Sequence, residues 1–319
     1  MSADQPTTTI ASRRAEVAAA LADVARTPGA AKPDPIVVAD HVTRHFGGMT
    51  AVDVDHLEVQ RGAITALIGP NGAGKTTLFN LLTGFDRPST GEWTFEGRSL
   101  HGVAAARVAR SGMVRTFQLT KALSRMTVIE NMRLGAPDQP GERLVTALVP
   151  AMWRPREKAI TEQAEELLER FKLDTKRDDF AGSLSGGQRK LLEMARALMS
   201  SPKMLMLDEP MAGVNPALTQ SLLGHIESLR DEGTTVLFVE HDMHMVRHIS
   251  DWVVVMAEGR IVAEGPPESV MQDQAVVDAY LGKHHDTDLG DDSLLSDEVT
   301  EQLEAEVRAE EDTRTEETR

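Results

Sequence analysis

The most constraining feature of this sequence is a glycine-rich segment, Gly69-Pro70-Asn71-Gly72-Ala73-Gly74-Lys75-Thr76-Thr77. It matches G-x-x-x-x-G-K-[ST] without substitution, an apolar predicted strand runs into it, and a helical pattern starts at Lys75. The three glycines permit backbone conformations in which successive N–H groups point at one anion, and the helix N-terminus adds partial positive charge. Lys75 would reach the β- and γ-phosphates, and the Thr76 hydroxyl would bind Mg²⁺. The segment therefore predicts a nucleoside triphosphate site.

A pair of acids follows a second apolar run. Residues 204–207 predict a buried strand, and Asp208 and Glu209 come directly after it. Ligands bind at the carboxyl ends of parallel strands, so these acids are expected at the phosphate site. We expect Asp208 to hold Mg²⁺ through its second shell and Glu209 to act as general base for the attacking water. The alternative is that the two acids cap the predicted helix at 216–230.

A third segment combines a helix-capping residue with exposed backbone. Leu184-Ser185-Gly186-Gly187-Gln188 precedes a predicted helix at 188–199. Ser185 is a natural N-cap, and the two glycines leave the backbone bare. The segment predicts a second helix start that binds anions. An ordinary capped helix is the alternative.

The order of the predicted elements indicates an α/β fold. Apolar strands without alternation are separated by helices, which indicates a parallel or mixed sheet covered on both faces. We predict an ATP-binding domain over 36–282, with N-terminal antiparallel strands and a helical subdomain over about 119–182. Residues 1–35 predict a disordered extension with a short helix at 12–26, and residues 136–155, with four prolines, predict irregular structure.

Charge and composition exclude several classes of protein. The net charge is −16, and residues 286–319 carry 14 acids and three arginines, so that −11 falls on them and −5 on the other 285 residues. This balance argues against a nucleic-acid-binding protein, which usually has a basic surface. The chain has no cysteine, which excludes thiolate catalysis and disulfides. No run approaches the ~20 apolar residues of a membrane span, and the N-terminus lacks a signal sequence, so we expect a cytoplasmic location.

The acidic tail at 283–319 is expected to be disordered or a single helix. Leu295, Val299, Leu303 and Val307 recur every four residues, which would form a narrow apolar stripe on a helix. A solvated, disordered tail is the simpler interpretation because its charge density opposes compaction. Partner docking or autoinhibition is the alternative hypothesis.

Five motifs together resemble the motif set of ABC-transporter ATP-binding subunits over about residues 36–282. In chain order they are GPNGAGKTT at 69–77, Gln118 after Arg115-Thr116-Phe117, LSGGQ at 184–188, LMLDEP at 205–210 and His241 after a predicted strand.

The resemblance implies a role for each matched residue. Phe46 would stack on adenine, and Gln118 would touch Mg²⁺ and the attacking water and link the site to the helical subdomain. Glu209 would be the catalytic base, and His241 would contact the γ-phosphate. Ser185, Gly186, Gly187 and Gln188 would close over ATP held by a second ATP-binding subunit, identical or paralogous, in a head-to-tail dimer. Asn215 stands in the connecting segment 211–215, where many members of the family have Asp.

Further segments resemble one branch of the family, the ATPases of branched-chain amino acid uptake systems. They are FGGMTAV at 46–52, LTGFDRPSTG at 82–91, VRTFQ at 114–118, MTVIENMRLG at 126–135, MAGVNP at 211–216 and AYLG at 279–282. This branch implies partnership with membrane permeases, docked near 118–131, and indirectly with a solute receptor. Two alternatives stay open: a lipopolysaccharide-export ATPase, and a soluble ABC ATPase that acts on DNA or ribosomes. The latter typically has two fused units or a long coiled coil.

Overall fold

The fold was described from a computed structural model, which covers residues 10–116, 123–137, 139 and 150–281. Gln118 and the acidic stripe at 295–307 lie outside these residues. The described helices are α1 (Ile10–Leu21), α2 (Lys75–Leu82), α3 (Ala105–Arg110), α4 (Val128–Arg133), α5 (Pro150–Arg170), α6 (Gly186–Leu198), α7 (Pro216–Asp231), α8 (Met243–Ile249), α9 (Pro267–Val270) and α10 (Gln274–Leu281).

An antiparallel sheet contains the N-terminal strands. Its order is β2-β1-β4-β5, formed by β1 (Pro35–Phe46), β2 (Met49–Gln60), β4 (Thr90–Phe95) and β5 (Arg98–Ser99). Strand β2 is not among the strands predicted from the sequence. Its inward positions, such as Val52, Val54 and Leu57, alternate with polar residues, as in a strand that is half buried. The antiparallel character of this region agrees with the prediction.

The second sheet is mixed and carries the phosphate-loop segment. Its order is β10-β9-β3-β8-β7-β6, formed by β3 (Ile64–Ile68), β6 (Met113–Arg115), β7 (Met204–Asp208), β8 (Thr235–Val239), β9 (Trp252–Ala257) and β10 (Arg260–Gly265). Only the edge pair β9–β10 is antiparallel among these strands. Every residue of β3, β7 and β8 is buried, as the unbroken apolar runs predict.

The two faces of this sheet pack against separate hydrophobic clusters. Ile64, Ala66 and Ile68 face a cluster that includes α4, α5 and α6, whereas Leu67 faces the side of α2 and the antiparallel sheet. Alternate residues of β3 therefore pack against α4, α5 and α6 on one face of the sheet and against the side of α2 on the other. The α/β architecture predicted from the sequence is confirmed.

The N-terminal segment differs from the predicted disordered extension. Within residues 10–34, α1 packs on α7 and buries Val17 and Leu21. Arg14 donates a hydrogen bond to the His248 carbonyl at 3.1 Å. The Lys32 ammonium lies 2.9 Å from the Glu264 carboxylate, and the side chains of Lys32 and Glu264 are each 1% exposed. Composition did not reveal this order because its stabilising contacts lie more than 200 residues away along the chain.

Helix α5 also begins earlier than predicted. The expected irregular stretch extends to residue 155, but the helix starts at Pro150 and contains Pro155. Pro150 is the first helical residue, where an N–H would have no intrahelical acceptor. Pro155 lies in the second turn and removes one backbone hydrogen bond of the helix. The apolar residues Ile160, Ala164 and Leu168, spaced four positions apart, form the buried side of α5.

Candidate functional site

The phosphate loop joins β3 to α2 and is shaped by its glycines. Gly69 and Gly74 have φ values of +146° and +100°, which L side chains rarely adopt. A Cβ on Gly69 would overlap the Met256 carbonyl oxygen, and one on Gly74 would overlap the carbonyl oxygen of Ala51. These close approaches pack the loop against β9 and β2. We call this tightly packed glycine loop, residues 69–74, the cradle.

Lys75 lies at the base of this cradle. Its side chain is buried, and its Nζ donates hydrogen bonds to the Gly69 and Pro70 carbonyls at 2.6 and 3.0 Å. No side chain of the described residues forms a capping hydrogen bond at the start of α2. Thr76 and Asn71 are exposed near this helix start. The fold thus brings together an ammonium, the start of a helix and a hydroxyl.

Asp208 ends β7 in a buried position and has a cationic partner. Its Oδ2 lies 2.7 Å from Nη2 of Arg115, the last residue of β6, and each side chain is 5% exposed. Arg115 Nη1 also donates to Asn80 Oδ1 in α2 at 2.6 Å. These bonds tie Asp208 to the helix that carries Thr76. A carboxylate and a hydroxyl are hard oxygen donors of the kind that Mg²⁺ prefers.

Glu209 departs sharply from the line of β7. Its φ of +46° is uncommon for a residue with a side chain, and its N–H donates to the Val239 carbonyl at 3.0 Å. The turn directs its carboxylate to His241, where Glu209 Oε1 and His241 Nε2 lie 2.8 Å apart. The two acids do not cap α7, since its N-cap is Asn215, whose side chain accepts the Leu218 N–H at 2.9 Å.

Glu240 is a site residue that the sequence analysis missed. It is 5% exposed, and its carboxylate accepts the N–H groups of Met211 at 3.1 Å and His241 at 3.0 Å. It therefore ties the segment after Glu209 to the residue that contacts Glu209. The signal was present in the sequence: Glu240 directly follows an apolar strand, β8, as Glu209 follows β7.

Lys190 supports the other side of the Glu209 turn. Its Nζ donates to the carbonyls of Glu209 and Pro210, each at 3.0 Å. Burial lowers the pKa of Lys190, and the acids Glu240, Glu193 and Glu209 oppose that shift. Lys190 lies in α6, so the helix that begins at Ser185 is joined directly to the turn that carries Glu209.

The Ser185 segment forms a complete capping box. Ser185 Oγ accepts the Gln188 N–H at 3.2 Å, and Gln188 Oε1 accepts the Ser185 N–H at 3.0 Å. Ser185 and Gly186 are exposed, whereas Gly187 is buried against Leu218 of α7. The α6 N-terminus is therefore both capped and exposed, and the two alternatives from the sequence are compatible.

Phe46 ends β1 with an exposed ring. It is 46% exposed, and the Arg44 guanidinium lies 4.4 Å from its ring centroid. Phe46 pairs with Met49, two residues before Ala51, which contacts the phosphate loop. A flat apolar ring is therefore presented near the cradle.

None of the helices in the described ranges has the length and hydropathy to cross a bilayer.

Comparisons with known proteins agree on one family. Residues 52–212 match the ABC transporter family, and residues 260–286 match the branched-chain amino acid ATP-binding cassette transporter family. The chain is 42% identical over 247 residues to a probable branched-chain amino acid transport ATP-binding protein, LivG, of Archaeoglobus fulgidus, covering 77% of this chain and 95% of that protein.

Two further relatives support this match. The high-affinity branched-chain amino acid transport ATP-binding protein BraF of Pseudomonas aeruginosa is 40% identical over 252 residues, covering 78% of this chain and 98% of BraF. A crystal structure of the ADP conformation of an ATP-binding cassette of an ABC transporter has a TM-score of 0.67 and 38% identity, with 78% of this chain and 99% of that chain covered.

Proposed function

The chain belongs to the ABC transporter ATP-binding family, whose members hydrolyse ATP to power transport, and we propose that it drives an importer of branched-chain amino acids or related small solutes. The observation that carries the site assignment is the Glu209–His241 contact of 2.8 Å beside the glycine-rich cradle. A general base and its polar partner lie where a parallel sheet presents its ligand-binding edge.

The phosphate loop would hold the nucleotide. The first-turn amides of α2 and the Lys75 ammonium would bind the β- and γ-phosphates. Lys75 would then replace its hydrogen bonds to the Gly69 and Pro70 carbonyls with bonds to phosphate oxygens. Phe46 would stack on adenine through its exposed ring. Thr76 and Asp208 would hold Mg²⁺, which neutralises charge on the phosphates when bound. The oxygen-donor chemistry of these side chains supports this assignment.

Glu209 would accept the proton of the attacking water. His241 would orient the Glu209 carboxylate and donate to the γ-phosphate, and Gln118 would position the water. Two supports hold this pair: Glu240 fixes the backbone of His241, and Lys190 fixes the carbonyls of Glu209 and Pro210. Preorganised donors and acceptors of this kind lower the barrier because they need no rearrangement during the reaction.

A second ATP-binding subunit would complete the site. The exposed N-terminus of α6, with Ser185 and Gly186, combines a hydroxyl with the partial positive charge of a helix start, which would favour a γ-phosphate. It is joined to the Glu209 turn of its own chain by Lys190. In a head-to-tail dimer each chain would therefore contribute Ser185–Gln188 to the nucleotide held by its partner.

Exposed apolar residues around α4 support a permease-docking surface. Leu123, Leu134 and Phe180 are 48%, 53% and 60% exposed. The Leu123 N–H donates to Asn131 Oδ1 in α4, and Phe180 forms a β-bridge with Thr127, the N-cap of α4. A cavity of about 410 Å³ lies beside Leu134, between α3, β6 and α6. Isolated exposed apolar residues are common, but a group beside a groove indicates a protein interface. This surface would face a permease at the cytoplasmic side of the membrane, and the permease would meet the solute receptor.

The C-terminal match favours the importer over the lipopolysaccharide-export alternative. Residues 260–286 match the branched-chain amino acid family, and the curated relatives described above carry branched-chain amino acid transport in their names. The region includes β10, α9 and α10, which lie apart from the catalytic acids in sequence. The match therefore adds support that is independent of the phosphate loop.

Affinity purification from membranes tests the proposed function. We expect permease subunits and a second ATP-binding subunit to co-purify, and the purified complex to hydrolyse ATP faster in the presence of a branched-chain amino acid and its receptor. Lys75→Ala should weaken nucleotide binding, while Lys158→Ala, which changes an exposed lysine of α5, should not. A complex that neither retains ATP nor hydrolyses it would overturn the proposal.

A further inference from the structure

Arg115 is a buried cation whose partners lie on two other elements. Its Nη2 donates to Asp208 Oδ2 at the end of β7 at 2.7 Å, and its Nη1 donates to Asn80 Oδ1 in α2 at 2.6 Å. Its guanidinium carbon lies 5.5 Å from the centroid of the Phe79 ring, also in α2. One side chain therefore joins β6, β7 and the helix that follows the phosphate loop.

The backbone holds Arg115 at a fixed position relative to Asp208. Arg115 pairs with Met206 in the parallel β6–β7 ladder, and the N–H of Thr116 donates to the Met206 carbonyl at 2.9 Å. Met206 is two residues before Asp208, within reach of a long side chain leaning along the strand. From Thr116 the sequence continues toward Gln118. Arg115 is thus in contact with Asp208 and lies three positions before Gln118 in the sequence.

Charge and geometry make this contact more than a surface ion pair. Both side chains are 5% exposed, and a buried carboxylate is costly unless it is paired and hydrogen-bonded. A guanidinium presents its donors in a rigid plane, so its bonds set the orientation of a bound carboxylate as well as its charge. Because Arg115 holds Oδ2, the direction of Asp208 Oδ1 is set at the same time.

We propose that Arg115 is a positioning residue for the magnesium site. It orients Asp208 and ties that carboxylate to α2 through Asn80. The end of β6, Asp208 and the helix that carries Thr76 are thereby held in fixed relative positions. The inference rests on the proposed function, in which Asp208 serves Mg²⁺. In this role Arg115 would act through Asp208 and not through a contact of its own with nucleotide or metal. A residue that only stabilised the fold would change the unfolding free energy without changing the Mg²⁺ dependence of nucleotide binding.

The test measures nucleotide affinity against Mg²⁺ concentration, using the full-length chain and a fluorescent ATP analogue. In Arg115→Met, the Mg²⁺ concentration that gives half of the metal-dependent affinity gain should rise about 10-fold or more, as for other partners that orient metal ligands. Affinity in EDTA should stay unchanged, because Arg115 does not contact the nucleotide. Arg115→Lys should restore part of the Mg²⁺ response, since it keeps the charge and loses the planar fork.

Two further variants separate positioning from folding. Arg107→Met removes an exposed arginine of α3 and should leave the Mg²⁺ response unchanged. Asn80→Ala leaves the Arg115–Asp208 pair in place and releases the other end of the guanidinium, so it should raise the half-saturating Mg²⁺ concentration by a smaller factor. This milder change tests the proposal even if Arg115→Met fails to fold. Asn80→Ala should add nothing in the Arg115→Met background, because both act through one contact network.

The proposal and the proposed function fail in different ways. If folded Arg115→Met binds the analogue with the wild-type Mg²⁺ dependence, or if Asn80→Ala and Arg115→Met have additive effects, Arg115 is not a positioning residue. If Arg115→Met lowers the affinity for the analogue by the same factor in EDTA as in Mg²⁺, the contact acts on the nucleotide loop and the proposal is also overturned. If the wild-type chain itself binds no ATP analogue, the proposed ATPase function is at fault instead.

Discussion

His241 Nε2 and Glu209 Oε1 lie 2.8 Å apart, although the two residues are 32 positions apart in the sequence. The register of two parallel strands creates this contact. Asp208 of β7 is paired with Val239 of β8, and the Glu209 N–H donates to the Val239 carbonyl at 3.0 Å. Glu209, one residue after β7, and His241, two residues after β8, are therefore brought to the same edge of the sheet. The turn at Glu209 directs its carboxylate to His241.

Glu209→Gln should keep nucleotide binding and lose hydrolysis. An amide cannot accept a proton from water, and loss of one catalytic group in phosphoryl transfer commonly lowers the rate by about 10² or more. Turnover and nucleotide affinity of the assembled transporter measure the two effects separately. Glu169→Gln, an exposed acid of α5, is the matched control and should behave as the wild type. An unimpaired turnover rate would refute the base assignment.

Glu240→Gln should slow hydrolysis while nucleotide affinity changes little. The wild-type carboxylate accepts two backbone N–H groups, those of Met211 and His241. A glutamine offers one acceptor and turns a donor toward the other N–H, which leaves a buried group unsatisfied at a cost of about 1–3 kcal/mol. We expect lower turnover and a lower melting temperature. Glu268→Gln, at an exposed position in α9, should change neither, and a variant with normal turnover would show that Glu240 does not position His241.

Lys32→Met should destabilise the chain strongly. Lys32 pairs with Glu264 at 2.9 Å with both side chains 1% exposed, donates to the Ala30 carbonyl at 2.6 Å and lies 4.7 Å from the Trp252 ring centroid. Removing one partner of a buried pair leaves an uncompensated charge and typically costs about 3–5 kcal/mol.

Denaturant unfolding of the Lys32→Met variant measures this loss. Lys158→Met breaks an exposed pair with Glu162 and should cost less than about 1 kcal/mol. Equal stability of Lys32→Met and the wild type would mean that residues 22–34 do not dock as the structure shows.

His225 should make stability depend on pH below neutrality. Its ring is stacked on Phe171 with centroids 4.2 Å apart, and burial, with Arg170 and Lys172, lowers its pKa. The unfolded chain, in which histidine has a pKa of about 6.5, therefore binds more protons than the folded chain at and below that pH. The unfolding free energy contributed by this group must fall as the pH drops through about 6.5 toward the lowered folded value.

His225→Phe keeps a ring against Phe171 and removes the titration. Its unfolding free energy should decline less than that of the wild type between about pH 7.5 and 5.5. His41→Asn removes a histidine that is 84% exposed and should leave the wild-type slope unchanged. Identical pH slopes in His225→Phe and the wild type would contradict the assigned role of His225.

Local sequence patterns determined the parts of this protein that depend on local chemistry. The phosphate loop was predicted because only glycine tolerates the backbone at Gly69 and Gly74, and the residues after β7 because apolar strands end in ligand-binding edges. The family, the α/β class and the capped start of α6 followed from the same patterns. Each of these features is determined by residues that are neighbours along the chain.

Tertiary structure alone decided the contacts between distant residues. Arg115 and Asp208 are 93 positions apart, and Lys32 and Glu264 are 232 apart, and neither pairing has a local pattern that predicts it. The order of residues 10–34 and the support of His241 by Glu240 belong to the same class. A charged side chain becomes buried only where strand register and helix packing place an opposite charge beside it. The position of that partner depends on the folded chain as a whole.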